Sequence, residues 1–263
     1  MRVRVRGEQG ERRIERVWDM VISDVNGPKT PVQATALLLE QLLAGRIQPG
    51  ARPAVAVFSR AEAETQLATI AAKFEHRERV ITPIFPQVLG ASIAALPAPV
   101  QSLHDVGFIK RYRGIAQVRT ATSWYGRVAA FVGGFPTRGN HSVRAEVEVM
   151  ADDNFEVWTR RIGDHSFKSV LRYEQFADDT QGMTEQFGFM RFRLGLRVRD
   201  GDLQFPIESG RIFGLLSMPR FLLPVSDSSE RIDALGRFQF DVRLSMPGGA
   251  LIAHYKGYLE LVS

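Results

Sequence analysis

From Arg111 onward the chain reads as alternating apolar and polar residues, in segments parted by Gly, Asp and Pro. The clearest segment sets Met190, Phe192, Leu194, Leu196 and Val198 on one face and Arg191, Arg193, Arg197 and Arg199 on the other. A period of two over that length predicts a β-strand with one buried face and one cationic face. The same pattern predicts strands near 111–120, 142–150, 154–162, 166–175, 187–199, 202–212, 236–246 and 250–261. A short helix at about 122–132 carries Trp124, Val128 and Phe131. Turns are supplied by Asp152-Asp153-Asn154, Gly163-Asp164, Asp200-Gly201 and Pro247-Gly248-Gly249. Asp-Gly between alternating runs marks a hairpin, because both residue types tolerate positive φ. Turns this close together favour antiparallel pairing, and about eight strands that curl nearly shut leave few exposed edges.

The first 80 residues follow a different rhythm. Residues 2–6 and 12–24 alternate as a hairpin around Gly7 to Gly10. Thr30 followed by Pro31 reads as an N-cap and first helical position, and Ala34, Leu37, Leu38 and Leu42 continue at helical spacing to Gly45. Ala54–Phe58 reads as a short buried strand. Ser59 with Glu62 three residues on is a capping box for a second helix running to about Glu75. The charged run Glu75-His76-Arg77-Glu78-Arg79 is the best linker, and Pro83, Pro86, Pro97 and Pro99 punctuate a helical approach to the β-rich part. The predicted class is therefore α+β. A small αβ segment over residues 1–80 precedes a large antiparallel β domain over 83–263, barrel-like or a strongly curved sheet of about eight strands.

Composition narrows the chemistry. With 44% hydrophobic and 24% charged residues among 263, the chain suits a folded globular protein. The net charge is +5, carried mostly by arginine, since Lys29, Lys73, Lys110, Lys168 and Lys256 are the lysines. No clustered basic helix or aromatic stacking motif accompanies it, so no specific nucleic-acid partner is expected. The absence of cysteine excludes disulfides, thiol catalysis and cysteine-held metals. No run approaches the ~20 apolar residues of a membrane span. The start, Met-Arg-Val-Arg-Val-Arg, lacks the apolar core of a signal peptide, and the expected location is cytoplasmic. His76, His104, His141, His165 and His254 form no helical pair, and no metal is expected. His104-Asp105 is read as a helix-end cap in preference to an oriented base. There is no G-x-S-x-G elbow, Walker sequence or H-E-x-x-H.

Several landmarks occur in series: Leu96-Pro97-Ala98-Pro99 through His104, Trp158-Thr159-Arg160-Arg161-Ile162-Gly163, Glu185-Gln186-Phe187-Gly188 and Gly210-Arg211. They continue with Leu222-Leu223-Pro224, Phe238-Gln239-Phe240-Asp241-Val242 and Tyr255-Lys256-Gly257-Tyr258-Leu259. Over about residues 83–263 this series resembles the bacterial family catalogued as domain of unknown function 4166, a resemblance that implies no particular activity. Gly27-Pro28-Lys29-Thr30-Pro31, the helix after it and Gly50-Ala51-Arg52-Pro53 resemble the C-terminal part of saccharopine-dehydrogenase-like proteins, over about residues 1–75. Such proteins begin with a Rossmann unit, whereas no G-x-G-x-x-G follows a strand here. No helix N-terminus is thus placed to hold a pyrophosphate, and no cofactor is expected to bind this chain alone. The resemblance does imply a separate dehydrogenase-like protein as a partner.

Candidate ligand-binding residues are Trp158, Arg160, Glu185 and Arg211. Alternation puts Trp158 and Arg160 on one strand face, where a guanidinium fork and an aromatic platform suit an anionic group. Glu185 offers the competing reading, a structural pair that neutralises Arg160. The arginine comb has a similar alternative, cross-strand partners such as Glu146, Glu148, Glu156 or Asp241. Gly195 interrupts the comb as a bulge or sharp bend would. The apolar faces, rich in Phe, belong to a packed core or to a hollow interior suited to a hydrophobic ligand. The apolar run 213–224, with Phe213, Leu216, Met218 and Phe221, lies outside the alternation and reads as a lid or docking segment. Two functional classes follow: a non-catalytic binding or interaction module, and an accessory or substrate-side part of an oxidoreductase served by a separate nucleotide-binding subunit.

Overall fold

The computed structural model describes residues 1–262 except 11, 49, 51–52, 54–55, 137–140, 153 and 177–178. The chain divides into two compact units, Met1–Ile81 and Thr82–Ser263.

In the first unit, β1 (Arg2–Gln9), β2 (Arg12–Val21) and β3 (Lys73–Val80) form an antiparallel sheet in that order. β1 and β2 make the expected hairpin, although β1 runs through Gly7 and the turn sits at Gly10, with φ of 60°. Helix α1 (Thr30–Leu43) follows a 3-10 turn over Gly27–Lys29. Thr30 therefore lies inside the helix and Lys29 occupies the N-cap without a side-chain bond, because the preceding turn already supplies helical geometry. Helix α2 (Arg60–Ala68) starts at the Ser59 capping box, in which Ser59 Oγ accepts from the Glu62 amide and the Ser59 amide donates to Glu62 Oε2 at 2.7 Å.

This unit departs from the sequence expectation in two places. Residues 56–58 form a bend in place of a buried strand, and 54–55 lie outside the described residues. The charged run 75–79 is the body of β3, not a linker, and α2 ends seven residues before Glu75 begins it. Its charges have cross-strand partners. Glu15, 2% exposed, accepts from Arg6 at 2.7 Å and from Arg79 at 2.8 Å, and Asp19 binds Arg2 and Arg77. Burial alone would raise the Glu15 pKa, yet the Arg79 and Arg6 hydrogen bonds hold it below the ordinary range. A strand whose charges are discharged by its neighbour needs few apolar residues.

The second unit opens with α3 (Ile84–Leu89), a 3-10 segment and α4 (Ala98–His104). Strand β4 (Ile109–Thr120) and helix α5 (Trp124–Val132) follow. A meander then runs through β5 (Ser142–Asp152), β6 (Phe155–Ile162), β7 (His165–Gln175), β8 (Gln181–Phe187) and β9 (Met190–Leu194). Short strands come next: β10 (Arg197–Arg199), β11 (Asp202–Gln204), β12 (Ile207–Ile212), β13 (Leu216–Ser217), β14 (Val225–Ser226) and β15 (Ser229–Ile232). The last two, β16 (Phe238–Ser245) and β17 (Leu251–Leu261), are long. The described residues pair into one 14-stranded antiparallel sheet, ordered β10-β11-β15-β16-β17-β4-β5-β6-β7-β8-β9-β12-β13, with β14 on β16. The α+β class is as expected, but the strand number is larger and the sheet is not a closed barrel.

The opening pattern explains the difference. Residues 187–199 do not make one strand: Gly188-Phe189 turn β8 into β9, and the run breaks again at Gly195. A Cβ at Gly195 would lie 2.2 Å from Glu208 Oε1, so a larger residue there would make the Glu208 side chain move aside. Residues 202–212 break likewise at Phe205-Pro206, and the Gly195 amide donates to the Pro206 carbonyl at 2.9 Å. One bent ribbon thus supplies β10 and β11 to one end of the sheet and β9 and β12 to the other. Two-residue links join those ends, so the sheet must curl back on itself without a continuous ladder.

The comb arginines are largely paired, but not with the partners proposed from sequence. Arg191 reaches Glu174 at 3.3 Å, Arg193 reaches Glu208 at 3.1 Å, and Arg199 lies 3.6 Å from its neighbour Asp200 on the surface. Arg197 is exposed. Glu146 and Glu148 instead serve Arg113, Arg161 and Arg111, while Asp241 serves Arg231, His254 and Lys256.

Candidate functional site

The curled sheet and its helices enclose an apolar cavity of about 450 Å³. Its walls are the inward positions of the alternating strands: Val147 of β5, Ile162 of β6, Leu171 of β7, Phe192 of β9, and Phe240 and Val242 of β16. Phe85 of α3 and Leu103 of α4 also line it and are buried. Helix α5, capped by Ser123 Oγ accepting from the Gly126 amide, contributes Trp124, Tyr125, Val128 and Val132.

A polar cluster lies among these apolar walls. Arg160 donates to Ser169 Oγ at 2.6 Å and to Glu185 Oε1 at 3.2 Å, while Ser169 Oγ donates to Glu185 at 2.6 Å. His104 Nε2 pairs with Glu230. These four ionisable side chains are at most 16% exposed and all line the cavity. The Trp158 ring touches both pairs, with the Arg160 guanidinium 4.9 Å and the His104 ring 5.8 Å from its centre. Tyr255, also lining, is 6% exposed, and its hydroxyl has no hydrogen-bond partner among the described residues. Burial pushes that phenol up to about 12, so it stays protonated and can donate. His104 Nδ1 is buried without a partner among the described residues.

Glu156 stands behind this cluster, fully buried on the inward phase of β6. Trp158 Nε1 donates to its Oε2 at 2.9 Å, and no side-chain or backbone donor among the described residues reaches Oε1. Desolvation pushes its pKa from 4.5 up to about 7, outweighing the Trp158 hydrogen bond and the attraction of His104. Because the folded state holds this proton more tightly than the unfolded chain, stability falls as pH rises from about 4.5 to 7 and stays reduced above. The loss is on the order of 3 kcal/mol. Glu156→Gln is expected to raise the denaturation midpoint at pH 8 and to leave it nearly unchanged at pH 4. Equal gains at both values would show that the carboxylate charge is not the cause.

Of the residues singled out from sequence, Trp158, Arg160 and Glu185 meet in the cavity wall. Arg211 does not; it is exposed on β12. In the 213–224 run, Met218, Leu222 and Pro224 line the cavity, while Phe213, Leu216 and Phe221 are exposed outside it. The sequence predicts His104 as a helix-end cap. It does end α4, but it is fully buried against Phe85, with ring centres 3.7 Å apart, and Asp105 is half-buried. Glu156 could have been found, since it shares the inward parity of Trp158 and Arg160. Glu230 and Tyr255 carry no such signal, because their role depends on which distant strands converge.

No helix among the described residues is long and apolar enough to cross a membrane. None of the curated proteins matches the chain. A family model described as Domain of unknown function (DUF4166) matches residues 96–259, which takes in α4, α5 and the strands from β4 into β17 that build the cavity. That match covers more than half of the chain, and the protein belongs to this family.

Proposed function

We propose that the β-rich unit is a non-catalytic binding module that takes up an apolar ligand with a neutral hydrogen-bonding end, such as a hydroxyl or carbonyl. The observation that carries this reading is an apolar cavity holding internally paired charges and one free buried phenol. A volume of about 450 Å³ falls in the range of about 300–1,000 Å³ typical of small-molecule sites. With Arg160 neutralised by Glu185, and Glu230 beside His104, an ionic ligand would have to break an existing pair. Tyr255 can donate to a neutral oxygen without such a loss.

The test uses the neutral fluorophore phenylnaphthylamine. Titration of the native protein is expected to give saturable enhancement, and Val242→Trp, which fills the cavity, is expected to weaken it at least tenfold with the circular dichroism spectrum unchanged. Undiminished binding by a folded Val242→Trp protein would overturn the proposal. A second reading keeps the first unit as a dock for a dehydrogenase-like subunit. It is favoured by Val32, Leu39, Leu42 and Leu43 of α1, which are exposed apolar residues on one short helix.

A further inference from the structure

Several cavity-lining residues are also exposed, and so mark its mouth: Trp124, Tyr125, Val128 and Val132 from α5, and Phe189 and Leu222 opposite. Around them stand side chains that belong to no core. Phe131 is 78% exposed, Phe213 69%, Leu215 85% and Phe221 70%. Single exposed apolar residues are ordinary, but two aromatic ridges flanking one apolar opening are not.

The ridges are held in place. Phe213 adopts φ of 53°, a left-handed conformation that a bulky side chain rarely occupies, and its ring stacks on Phe189 with centres 5.0 Å apart. Strain of this kind persists where surrounding structure imposes it, and it is concentrated at functional sites. Gly126 lets α5 lie close to β17: a Cβ there would meet the Leu251 carbonyl at 2.4 Å. The exposure of the aromatic residues on α5 is thus a consequence of how the helix is seated.

Charge selects the occupant. Residues 121–136 and 209–225 contain no Asp or Glu, and their only charged residues are Arg127, Arg211 and Arg220. All three are exposed. Aromatic residues with arginines and no carboxylates match the interface of an anionic bilayer, where rings sit at headgroup depth and cations are drawn to the surface. A second copy of the chain would bring the same three arginines against one another.

We propose that α5 and the 213–222 segment dock the β-rich unit onto an anionic lipid surface, with the cavity mouth facing the bilayer. This deepens the ligand-binding reading by naming where the apolar ligand is collected or released, through lipid and not through water. The experiment is flotation of the full chain with vesicles of phosphatidylcholine alone and of phosphatidylcholine mixed with phosphatidylglycerol. Co-flotation with the mixed vesicles is expected, with a blue shift of the exposed Trp124 fluorescence. Binding should fall at least tenfold in Phe131→Ser/Phe213→Ser and in Arg127→Gln/Arg220→Gln. Absence of flotation, or flotation that ignores all four substitutions, would overturn the proposal, as would vesicle-free dimers broken by the same changes. Phenylnaphthylamine binding is measured on the native protein beside flotation: dye binding by a native chain that does not float would discard the docking surface and leave the cavity reading standing.

Discussion

Replacing Trp158 by alanine is expected to lower the free energy of unfolding by about 3–5 kcal/mol, the range for removing a large buried aromatic side chain. Trp158 is 5% exposed and packs against two helices as well as against its own strand. Its ring meets Phe85 of α3 at 6.3 Å and His104 of α4 at 5.8 Å, and it stacks beneath Arg160 of its own strand. Its indole also supplies the side-chain hydrogen bond of Glu156. Removal enlarges an existing hollow, so the walls have little to collapse onto. It also leaves a buried acid with neither oxygen bound by a side chain. Trp158→Phe keeps most of the packing and should recover over half of the loss. Chemical denaturation of the three proteins at pH 6 reads these differences. Unchanged stability in the alanine variant, with phenylnaphthylamine binding lost, would reduce Trp158 to a ligand contact.

Gly257→Ala and Gly114→Ala are expected to be as damaging, at about 3 kcal/mol or more each, through a different cause. Gly257 pairs with Ala116 of β4, and Gly114 pairs with Leu259 of β17. A Cβ at Gly257 would lie 1.9 Å from the Ile115 carbonyl oxygen, and one at Gly114 would lie 1.8 Å from that of Tyr258. Both obstacles are backbone atoms, so no rotamer change relieves them; the two strands would have to part. Gly7→Ala is the control, since a Cβ there meets nothing within 4 Å. Midpoints for the glycine variants at the β4–β17 seam should fall far below that of Gly7→Ala, and soluble yield should fall with them. Equal midpoints would mean that the seam relaxes freely.

Much of the architecture was legible because alternation reports directly which side chains share a face. The strands around Val147, Trp158, Leu171 and Phe240 were readable in this way, and the inward set they define is the cavity wall. Ser59 with Glu62 was legible for a local reason, a reciprocal bond between residues three apart. Strand β3 was not, because Lys73–Val80 owes its place to Asp19 and Glu15, more than fifty residues earlier. Alternation also cannot tell a filled interior from a hollow one: Phe192 and Phe240 point inward in either case, and the gap between them depends on how tightly the sheet curls. The arginine comb shows the same limit. Its faces were read correctly, but Glu174 and Glu208 became partners only once Gly195 had split the segment and fixed the register on each side.

The seam between β4 and β17 has a consequence for how the unit assembles. β4 finds its partner β5 soon after α5, and the meander to β9 can zip by short hairpins. The other edge of β4 stays open until Leu251–Leu261 arrives, with β16 already attached to it. That edge of β4 stays unsatisfied while the long loop closes, a non-local step of the kind that sets slow folding rates. The two glycines lie in that late-forming contact. Alanine at Gly257 would therefore be felt chiefly as accumulation of a half-formed sheet, with hairpins intact and its central seam missing.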